Sequence, residues 1–258
     1  MATTRTTKSA AKPRTLAIDI GGTGLKASVL DIKGAMLADR VRVETTYPLP
    51  PDEMVNKLVD LVKSLPPYDR VSVGFPGVVR HGLILSAPHF VTKAGPGTKV
   101  MPELVDAWGR YDLTGALVTH LHKPVRTIND ADLQGLDVII GNGVELVVTL
   151  GTGVGTAVFS SGRLGPRMEL SHHEFHDGQD YNTYLGDAAR KEIGNKKWNK
   201  RVARLLEVLE ALFFPDHMYI GGGNNRHVTS QLAPNAKIID PNAGILGGLK
   251  LWNLDDPG

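Results

Sequence analysis

A carboxylate, a hydroxyl and a lysine surround a cluster of glycines in residues 19–26. Glycine permits a sharp turn, and the free N–H groups of such a turn can bind an anion. The hydroxyl and the lysine suit a phosphate, and the carboxylate could hold Mg²⁺ through water. We therefore predict a phosphate-binding loop formed by Asp19, Gly21, Gly22, Thr23, Gly24 and Lys26. The alternative is an ordinary glycine-rich hairpin.

The same arrangement occurs again in the second half of the sequence. A β-strand is predicted over residues 145–150, followed by a Gly/Thr turn and a second strand over 156–159. The predicted phosphate-binding residues of this copy are Gly151, Thr152, Gly153 and Gly155. Both loops join two strands, unlike Walker and dinucleotide motifs, which lead from a strand into a helix. The pair indicates an internal duplication with two phosphate-facing loops across a cleft.

Asn129 and Asp130 follow the predicted strand 125–128 and precede a predicted helix over about 131–140. Ligands of open α/β sheets bind at the carboxyl ends of strands. Asp130 is therefore a candidate general base, with Asn129 beside it. An equally weighted alternative is that Asp130 only caps the helix.

Glu169 and His172 are three residues apart, so on a helical turn they would share one face. A carboxylate and an imidazole so placed suit a polyol such as a sugar, although a solvated polar loop is the alternative. Pro88 and His89, which follow a short strand, are further candidates for the sugar pocket. The nearby His173 and His176 do not complete a ligand set for structural zinc.

Strands alternate with helices along the chain, which predicts an α/β fold in two similar halves. The first half is predicted as β-β-β-α-β-α-β-α. In the second half, helices are expected over 184–193, 197–214 and 243–252, with strands over 217–220 and 236–239. We assign an N-terminal domain to residues 15–135 and a C-terminal domain to residues 136–258, whose last helix is expected to pack back on the N-terminal domain.

Composition excludes several classes of protein. The sequence has 258 residues, 41% of them hydrophobic, a net charge of +2 and no cysteine. These values are ordinary for a globular protein and do not suggest a nucleic-acid binder; without cysteine, neither disulfides nor cysteine-ligated zinc can form. No apolar segment approaches transmembrane length. Residues 1–14 are read as a disordered tail, with a transit peptide as the alternative, and a cytoplasmic location is expected.

Residues 190–204 are strongly basic, with seven Lys or Arg against one Glu. Such a segment is usually the solvated face of a helix. In a phosphoryl-transfer enzyme it could also guide a polyanionic donor.

In this order, the motifs resemble those of the ROK family of sugar kinases, and within it most closely the polyphosphate glucokinase branch. The resemblance extends from about residue 15 to 252 and includes residues 19–26, the Pro-Gly-Val stretch at 76–78 and residues 149–155. It implies two similar actin/hexokinase-like (ribonuclease H-like) domains with a cleft between them. Many ROK proteins carry a cysteine-rich zinc motif that this sequence lacks, which favours the polyphosphate branch.

The resemblance also implies roles for individual residues. Asp130 matches the catalytic Asp and Asn129 the sugar-binding Asn, whereas Glu169 and His172 match the Glu-x-x-His motif that holds the sugar hydroxyls. The glycine turn near the nucleotide or distal phosphates corresponds to Gly221, Gly222 and Gly223. A homodimer and a requirement for Mg²⁺ are further implications.

The function expected from these features is a glucokinase. It would transfer a phosphoryl group from inorganic polyphosphate, ATP or both to the 6-hydroxyl of glucose, with Asp130 as general base. The alternatives are a strictly ATP-dependent ROK hexokinase, a non-catalytic sugar sensor of the same fold and an actin-like filament protein. No nucleic acid, membrane or structural zinc is expected as a partner.

Overall fold

The computed structural model describes residues 12–255. Most of the tail predicted for residues 1–14 lies outside this part of the chain, and residues 12–14 have no regular secondary structure. Among the residues described, no helix is both long enough and apolar enough to cross a membrane.

Two five-stranded sheets, one in each half of the sequence, form the framework of the molecule. The elements of the first half are β1 (Thr15–Gly21), β2 (Gly24–Leu30), β3 (Val41–Val43), α1 (Pro51–Val62), β4 (Arg70–Phe75), β5 (Val79–Arg80), β6 (Leu83–Ile84), α2 (Pro102–Trp108), β7 (Tyr111–Asp112), α3 (Leu113–Leu121), β8 (Val125–Asn129) and α4 (Asp130–Val138). Those of the second half are β9 (Val144–Leu150), β10 (Val154–Ser160), β11 (Arg163–Leu164), β12 (Glu174–His176), β13 (Gln179–Asp180), α5 (Tyr181–Leu185), α6 (Asp187–Phe213), β14 (His217–Gly221), β15 (Ala236–Ile238) and α7 (Ala243–Lys250).

The two sheets have the same topology. The first has the order β3-β2-β1-β4-β8 and the second β11-β10-β9-β14-β15. In each, the first three strands in sequence are antiparallel neighbours, and the last two join in parallel. The duplication predicted from the two glycine-rich hairpins is therefore present in the strand order of both halves.

Helices cover the outer face of each sheet. α1 begins at Pro51, whose fixed φ suits the first helical position. Its apolar side chains recur at helical spacing and pack, together with α3 and the buried Trp108, on the first sheet. α6 packs on the second sheet in the same way through Trp198, Val202 and Leu205. Each sheet therefore has its own hydrophobic core.

The helices α4 and α7 lie between the two sheets and pack against each other. A Cβ at Gly247 of α7 would overlap the carbonyl oxygen of Leu133 in α4, so the close approach requires glycine there. α7 also packs on β1, where Ser72 Oγ of the adjacent β4 donates a hydrogen bond to Gly248 O at 2.6 Å. The domain boundary assigned after residue 135 falls inside α4, and this assignment stays a prediction.

The predicted division between helices over 184–193 and 197–214 is confirmed by a kink at Gly194, whose φ of 77° and ψ of 156° interrupt the helical path of α6 (Asp187–Phe213). The predicted start at residue 184 differs from the structure. The short α5 begins after Asp180, which accepts the Thr183 N–H at 2.7 Å, and ends at Leu185; α6 follows the extended Gly186. The predicted helix 243–252 ends earlier, at Lys250, and continues as a 3-10 turn over Leu251–Asn253.

Candidate active site

The first glycine-rich loop connects β1 to β2, and its turn consists of Gly22 and Thr23. Asp19 and Lys26 lie in the flanking strands, directly opposite each other. Lys26 Nζ donates a hydrogen bond to Asp19 Oδ2 at 2.9 Å. The loop is thus bordered by an ion pair, and Lys26, predicted as a free cation for the donor, shares its charge with Asp19.

Side chains from β3 and the segment after it hold this loop in place. They donate to three successive loop carbonyls: Thr45 Oγ1 to Gly21 at 2.7 Å, Tyr47 Oη to Gly22 at 2.7 Å and Arg42 Nη2 to Thr23 at 3.1 Å. These three hydrogen bonds hold the backbone of the loop through its carbonyl oxygens. Sequence reasoning missed these three residues, since they are about twenty positions away and belong to no local motif.

The second glycine-rich loop, between β9 and β10, is held by the start of α6. The N–H of Gly151 donates to Gly153 O at 2.9 Å and closes the turn. The Gly151 carbonyl accepts the Asp187 N–H at 3.0 Å and Asn224 Nδ2 at 3.1 Å. This loop therefore lies against the first residue of α6, the helix that carries the basic segment.

The two loops face each other. A Cβ at Gly22 would lie 2.9 Å from Thr152 Oγ1, so any larger residue at position 22 would push the loops apart. Gly155, in contrast, lies within β10, where a Cβ would lie 3.4 Å from the Ala131 Cβ. Its position places it under α4 and not in the turn with Gly151, Thr152 and Gly153.

The third glycine stretch, Gly221 to Gly223, follows the end of β14. The Gly222 N–H donates to Gln134 Oε1 at 3.2 Å, and the Asn224 N–H donates to Leu150 O at 2.8 Å. These bonds place the stretch beside the end of β9, next to the second loop. All three predicted glycine stretches are therefore grouped around the ends of β1, β9 and β14.

Asp130 is the first residue of α4 and is surrounded by other carboxylates. Burial, together with the negative charges of Asp19, Glu169 and Asp132, raises the pKa of Asp130 to about 8. The hydrogen bond from the Ala131 N–H to Asp130 Oδ1, at 2.9 Å, opposes this rise. A carboxyl with such a pKa can accept and release a proton near neutral pH, as a general base must.

Asn129, and not Asp130, is the N-cap of α4. Its Oδ1 accepts the N–H groups of Ala131 at 2.8 Å and Asp132 at 3.3 Å, and its Nδ2 donates to Gly77 O at 3.0 Å. The alternative reading of Asp130 as a helix cap is therefore wrong, because the preceding residue performs that role. Asn129 fixes the backbone on both sides of Asp130 and leaves the Asp130 carboxyl to face the other acids.

Glu169 and His172 are joined by a 3-10 turn over Leu170–His172, in which the His172 N–H donates to Glu169 O at 3.2 Å. Burial raises the pKa of Glu169, while His172 and Arg167 act in the opposite direction. His172 also faces His89, and burial together with this neighbour lowers the pKa of His89 to about 4. Pro88 is half-buried beside it. Of the predicted sugar-site residues Pro88, His89, Glu169 and His172, the three that carry titratable side chains therefore interact electrostatically.

Asp132 and Arg167 form an ion pair beside this cluster that sequence reasoning did not identify. Arg167 Nη2 lies 2.8 Å from Asp132 Oδ2, and the two side chains are only 10% and 4% exposed. Asp132 is two residues beyond Asp130, so its acidic side chain could have been noted from the sequence. The partner is 35 positions further on, in a segment without regular structure, and no local spacing indicates it.

Within residues 12–255, no group of three or more His, Asp or Glu side chains could hold a metal ion. Asp19 is the carboxylate nearest the first loop, and a single carboxylate is compatible with Mg²⁺, which keeps most of its waters and binds through one or two carboxylates and substrate phosphates. Of the three neighbouring histidines, His172 faces the sugar-site cluster. His173 and His176 line a separate groove with Tyr184.

A comparison with protein families gives a match to the ROK family over residues 15–169. The polyphosphate glucokinase of Mycobacterium tuberculosis is 31% identical over 218 residues, which cover 81% of this chain and 77% of that protein.

Solved structures agree with this result. The inorganic polyphosphate/ATP-glucomannokinase from Arthrobacter sp. strain KM superposes with a TM-score of 0.77 at 30% identity, covering 92% of this chain and 97% of that one. A ROK family glucokinase from Streptomyces griseus, solved with glucose and AMPPNP, gives a TM-score of 0.67 at 18% identity, covering 92% and 98%. The latter shows similarity of fold alone.

Proposed function

This chain belongs to the ROK family, and from that premise we propose that it is a glucokinase that uses inorganic polyphosphate, with ATP as a second donor. The predicted resemblance and the α/β fold of actin/hexokinase type are confirmed, and the similar proteins named above are sugar kinases. The choice of glucose and of polyphosphate rests on the names of those relatives.

The observation that carries the proposal is the position of Asp130 among Asp19, Glu169 and Asp132. Asp19 borders the first glycine-rich loop, and Glu169 begins the turn that bears His172. Asp130 interacts electrostatically with both. A base between a donor loop and a polyol-binding pair is what the transfer of a phosphoryl group to a sugar hydroxyl requires.

In the proposed reaction, Asp130 accepts the proton of the glucose 6-hydroxyl. The sugar oxygen forms a bond to the terminal phosphorus of the donor as the bridging P–O bond breaks, and the shortened donor leaves with that electron pair. Glu169, His172 and Asn129 orient the sugar ring. Phosphoryl transfer needs little covalent work from the protein, so positioning and charge neutralisation supply most of the catalysis.

The two facing loops, around Gly22 and Thr152, would hold the donor phosphates. Asp19 would hold Mg²⁺ through water, and its position in β1 at the border of the first loop supports this role. When bound, the ion supplies positive charge that offsets the charge of the donor. We propose no other carboxylate as its ligand.

The basic segment of α6 favours a long polyanionic donor. Arg190 and Lys191 pair with Asp187, and Arg204 pairs with Glu207. Within the described chain, three exposed lysines of this segment have no carboxylate partner: Lys196, Lys197 and Lys200. α6 starts at the second loop, so these lysines extend from the donor site along one helix. A strictly ATP-dependent hexokinase is the alternative.

The test is a coupled assay for glucose 6-phosphate with Mg²⁺, run in parallel with long-chain polyphosphate and with ATP. Mannose replaces glucose in a second pair of reactions. We expect turnover of glucose with both donors and a higher kcat/KM for polyphosphate. Turnover with ATP alone would contradict the polyphosphate assignment, and no turnover in any arm would contradict the glucokinase.

We also propose that the protein is a homodimer and that its location is cytoplasmic. A homodimer follows from the family resemblance and can be tested by the mass of the protein in solution. A cytoplasmic location follows from the ordinary composition and the absence of cysteine.

A further inference from the structure

The Asp132–Arg167 ion pair lies beside the proposed sugar site but has no part in the proposed reaction. Both side chains are at least nine-tenths buried, and the contact between Nη2 and Oδ2 is 2.8 Å. In the described structure, Arg167 Nη1 has no hydrogen-bond partner, and the 2.8 Å ionic contact at Asp132 Oδ2 does not have the geometry of a hydrogen bond. A buried ion pair with incomplete hydrogen bonding contributes little to stability, so a role in the site has to be considered.

Protein atoms closely surround the pair. A cavity of about 10 Å³ lies beside it, bounded by Asp132, Arg167, Thr156 and Pro166. Because both side chains are buried, bulk solvent screens the Arg167 charge only weakly, and this charge acts on neighbouring groups more strongly than an exposed one would.

The group that needs this charge is Glu169. It faces two acids of α4, Asp130 and Asp132, and burial further disfavours its ionised form. The groups that favour the carboxylate come from its own segment, Arg167 and His172 by their charge and Ser171 by a hydrogen bond. His172 is in turn faced by His89 from the loop after β6. Arg167 is the one permanently charged cation of this set.

Glu169 acts as an acceptor at both of its oxygens only as a carboxylate, because protonation turns one of the two oxygens into a donor. We propose that Arg167, held by Asp132, is a positioning residue for Glu169: its charge keeps Glu169 ionised for glucose binding, and its contact with Asp132 ties the segment bearing Glu169 to the helix bearing Asp130. This inference rests on the proposed glucokinase function.

The test compares Arg167→Met and Arg167→Lys by glucose KM and kcat between pH 6 and 9, with saturating donor. Loss of the charge moves the ionisation of Glu169 to higher pH, so a smaller fraction of the carboxylate is present in the acidic part of this range. Arg167→Met should therefore raise glucose KM severalfold at pH 6 and less at each higher pH, with recovery towards the wild-type value at pH 9. kcat should change far less, and Arg167→Lys should retain a KM close to that of the wild type.

Arg163→Met is the matched control, because Arg163 is an exposed arginine of β11 in the same segment. It should leave KM unchanged at every pH. Arg167→Met leaves the Asp132 carboxylate buried without its partner, which could prevent folding. If this single variant does not fold, the double variant Arg167→Met/Asp132→Asn is used in its place. A purely structural role would lower kcat and raise KM equally at all pH values, with Lys no better than Met. That result, or an unchanged KM for Arg167→Met, would overturn the proposal.

Failure of the glucokinase assignment is visible separately, as absence of turnover by the wild type. The Arg167–Glu169 interaction is then decided by urea unfolding of the wild type, Arg167→Met, Glu169→Gln and the double variant. Coupling between the two substitutions at pH 7 that weakens at pH 4, where the raised pKa of Glu169 leaves less of its carboxylate in the folded protein, would support the interaction. Additive effects at both pH values would overturn it.

Discussion

Asp130 is a carboxyl group whose environment opposes its own ionisation. Burial is the main reason, and Asp19, Glu169 and Asp132 add negative charge around it, so its pKa rises to about 8. In the free protein at pH 7 the group is therefore largely protonated, whereas a general base must be ionised.

We expect kcat/KM for glucose, which reports the free enzyme, to increase with pH through about 8. The sign follows from the raised pKa, since the active form is the deprotonated one. The measurement is a pH–rate profile from pH 6 to 9.5 at saturating donor. A profile that is flat between pH 6 and 8 would show that another group accepts the proton.

The same shift has a consequence for stability. The pKa of Asp130 in the folded protein, about 8, exceeds its value near 4 in the unfolded chain, so the folded state is penalised above pH 8 and not below pH 4. Asp130→Asn should therefore increase the free energy of unfolding by roughly 5–6 kcal/mol at pH 9 and have little effect at pH 4, since the shift is about four pKa units and one unit corresponds to about 1.4 kcal/mol.

Urea unfolding at pH 4, 7 and 9 measures this gain. Asp106→Asn, at an exposed carboxyl of α2, is the control and should show no such dependence. A destabilised Asp130→Asn variant at pH 9 would mean that the carboxylate is favourably solvated and the raised pKa is wrong.

Among the individual site residues, the sequence identifies those that belong to short motifs. Asn129, Asp130, Glu169 and His172 were selected by strand-end position and spacing, although their roles stay predictions. Arg167 could not be selected, because its relation to Asp132 exists only after β11 has been brought against α4.

At the scale of the elements, α6 connects the second loop to the basic segment. Its first residue, Asp187, binds the Gly151 carbonyl and also pairs with Arg190 and Lys191. The charge nearest the loop is thereby neutralised in part. The three lysines further along, Lys196, Lys197 and Lys200, are the ones available to a long polyanion.

Replacement of Lys196, Lys197 and Lys200 by Ala should raise KM for long-chain polyphosphate about 10-fold at low ionic strength, because exposed charges steer a polyanion through long-range attraction. Added salt should shrink the difference, since it screens such charges. KM for ATP should remain within about two-fold of the wild type, as a short donor does not extend along α6.

The matched control removes three exposed lysines elsewhere, Lys12, Lys33 and Lys99. Equal effects of both triple variants would assign the change to net charge alone. An unchanged KM for polyphosphate in the α6 variant would show that residues 190–204 do not guide the donor and form only the solvated face of a helix.

Element types were largely predictable from periodicity, and boundaries less so. The amphipathic spacing in α1 and the alternation of strands with glycine turns identified most of the framework. The break at Gly194 lies where the sequence predicts it, whereas the separate short α5 was missed, because a side-chain cap at Asp180 and a single extended residue, Gly186, delimit it. The two-residue strands, such as β5 and β11, carry no periodic signal.

At the scale of the whole molecule, the two sheets share one strand order, and α4 and α7 fill the space between them. The duplication was visible in the repeated glycine-rich hairpins. The last helix is expected to return to the N-terminal domain, but the sequence does not indicate that it packs on β1, because an apolar helix of eight residues does not show which surface it will cover.

Trp252, in the turn after α7, fastens this arrangement. The guanidinium groups of Arg70 and Arg126 both lie over its ring, 5.1 and 4.8 Å from the ring centre, and its Nε1 donates to Ser72 Oγ at 2.9 Å. Trp252→Ala should lower the free energy of unfolding by about 2–4 kcal/mol through lost packing and cation–π contact.

Trp252→Phe keeps an aromatic ring next to the two arginines. It should lower the free energy of unfolding by less than half as much as Trp252→Ala. Urea unfolding of the three proteins at neutral pH provides the comparison. Equal losses for Ala and Phe would show that the hydrogen bond to Ser72, and not the stacked ring, fastens α7.

The role of Asp130 as general base is tested most directly with the Asp130→Asn variant. Turnover of glucose is followed with the better donor, and glucose binding is measured by calorimetry on the same preparation. We predict that turnover falls by about 10²–10⁴-fold, as expected for loss of a general base, while the Kd for glucose stays within about three-fold of the wild type. Near-normal turnover by a variant that still binds glucose would contradict the assignment of Asp130 as the base.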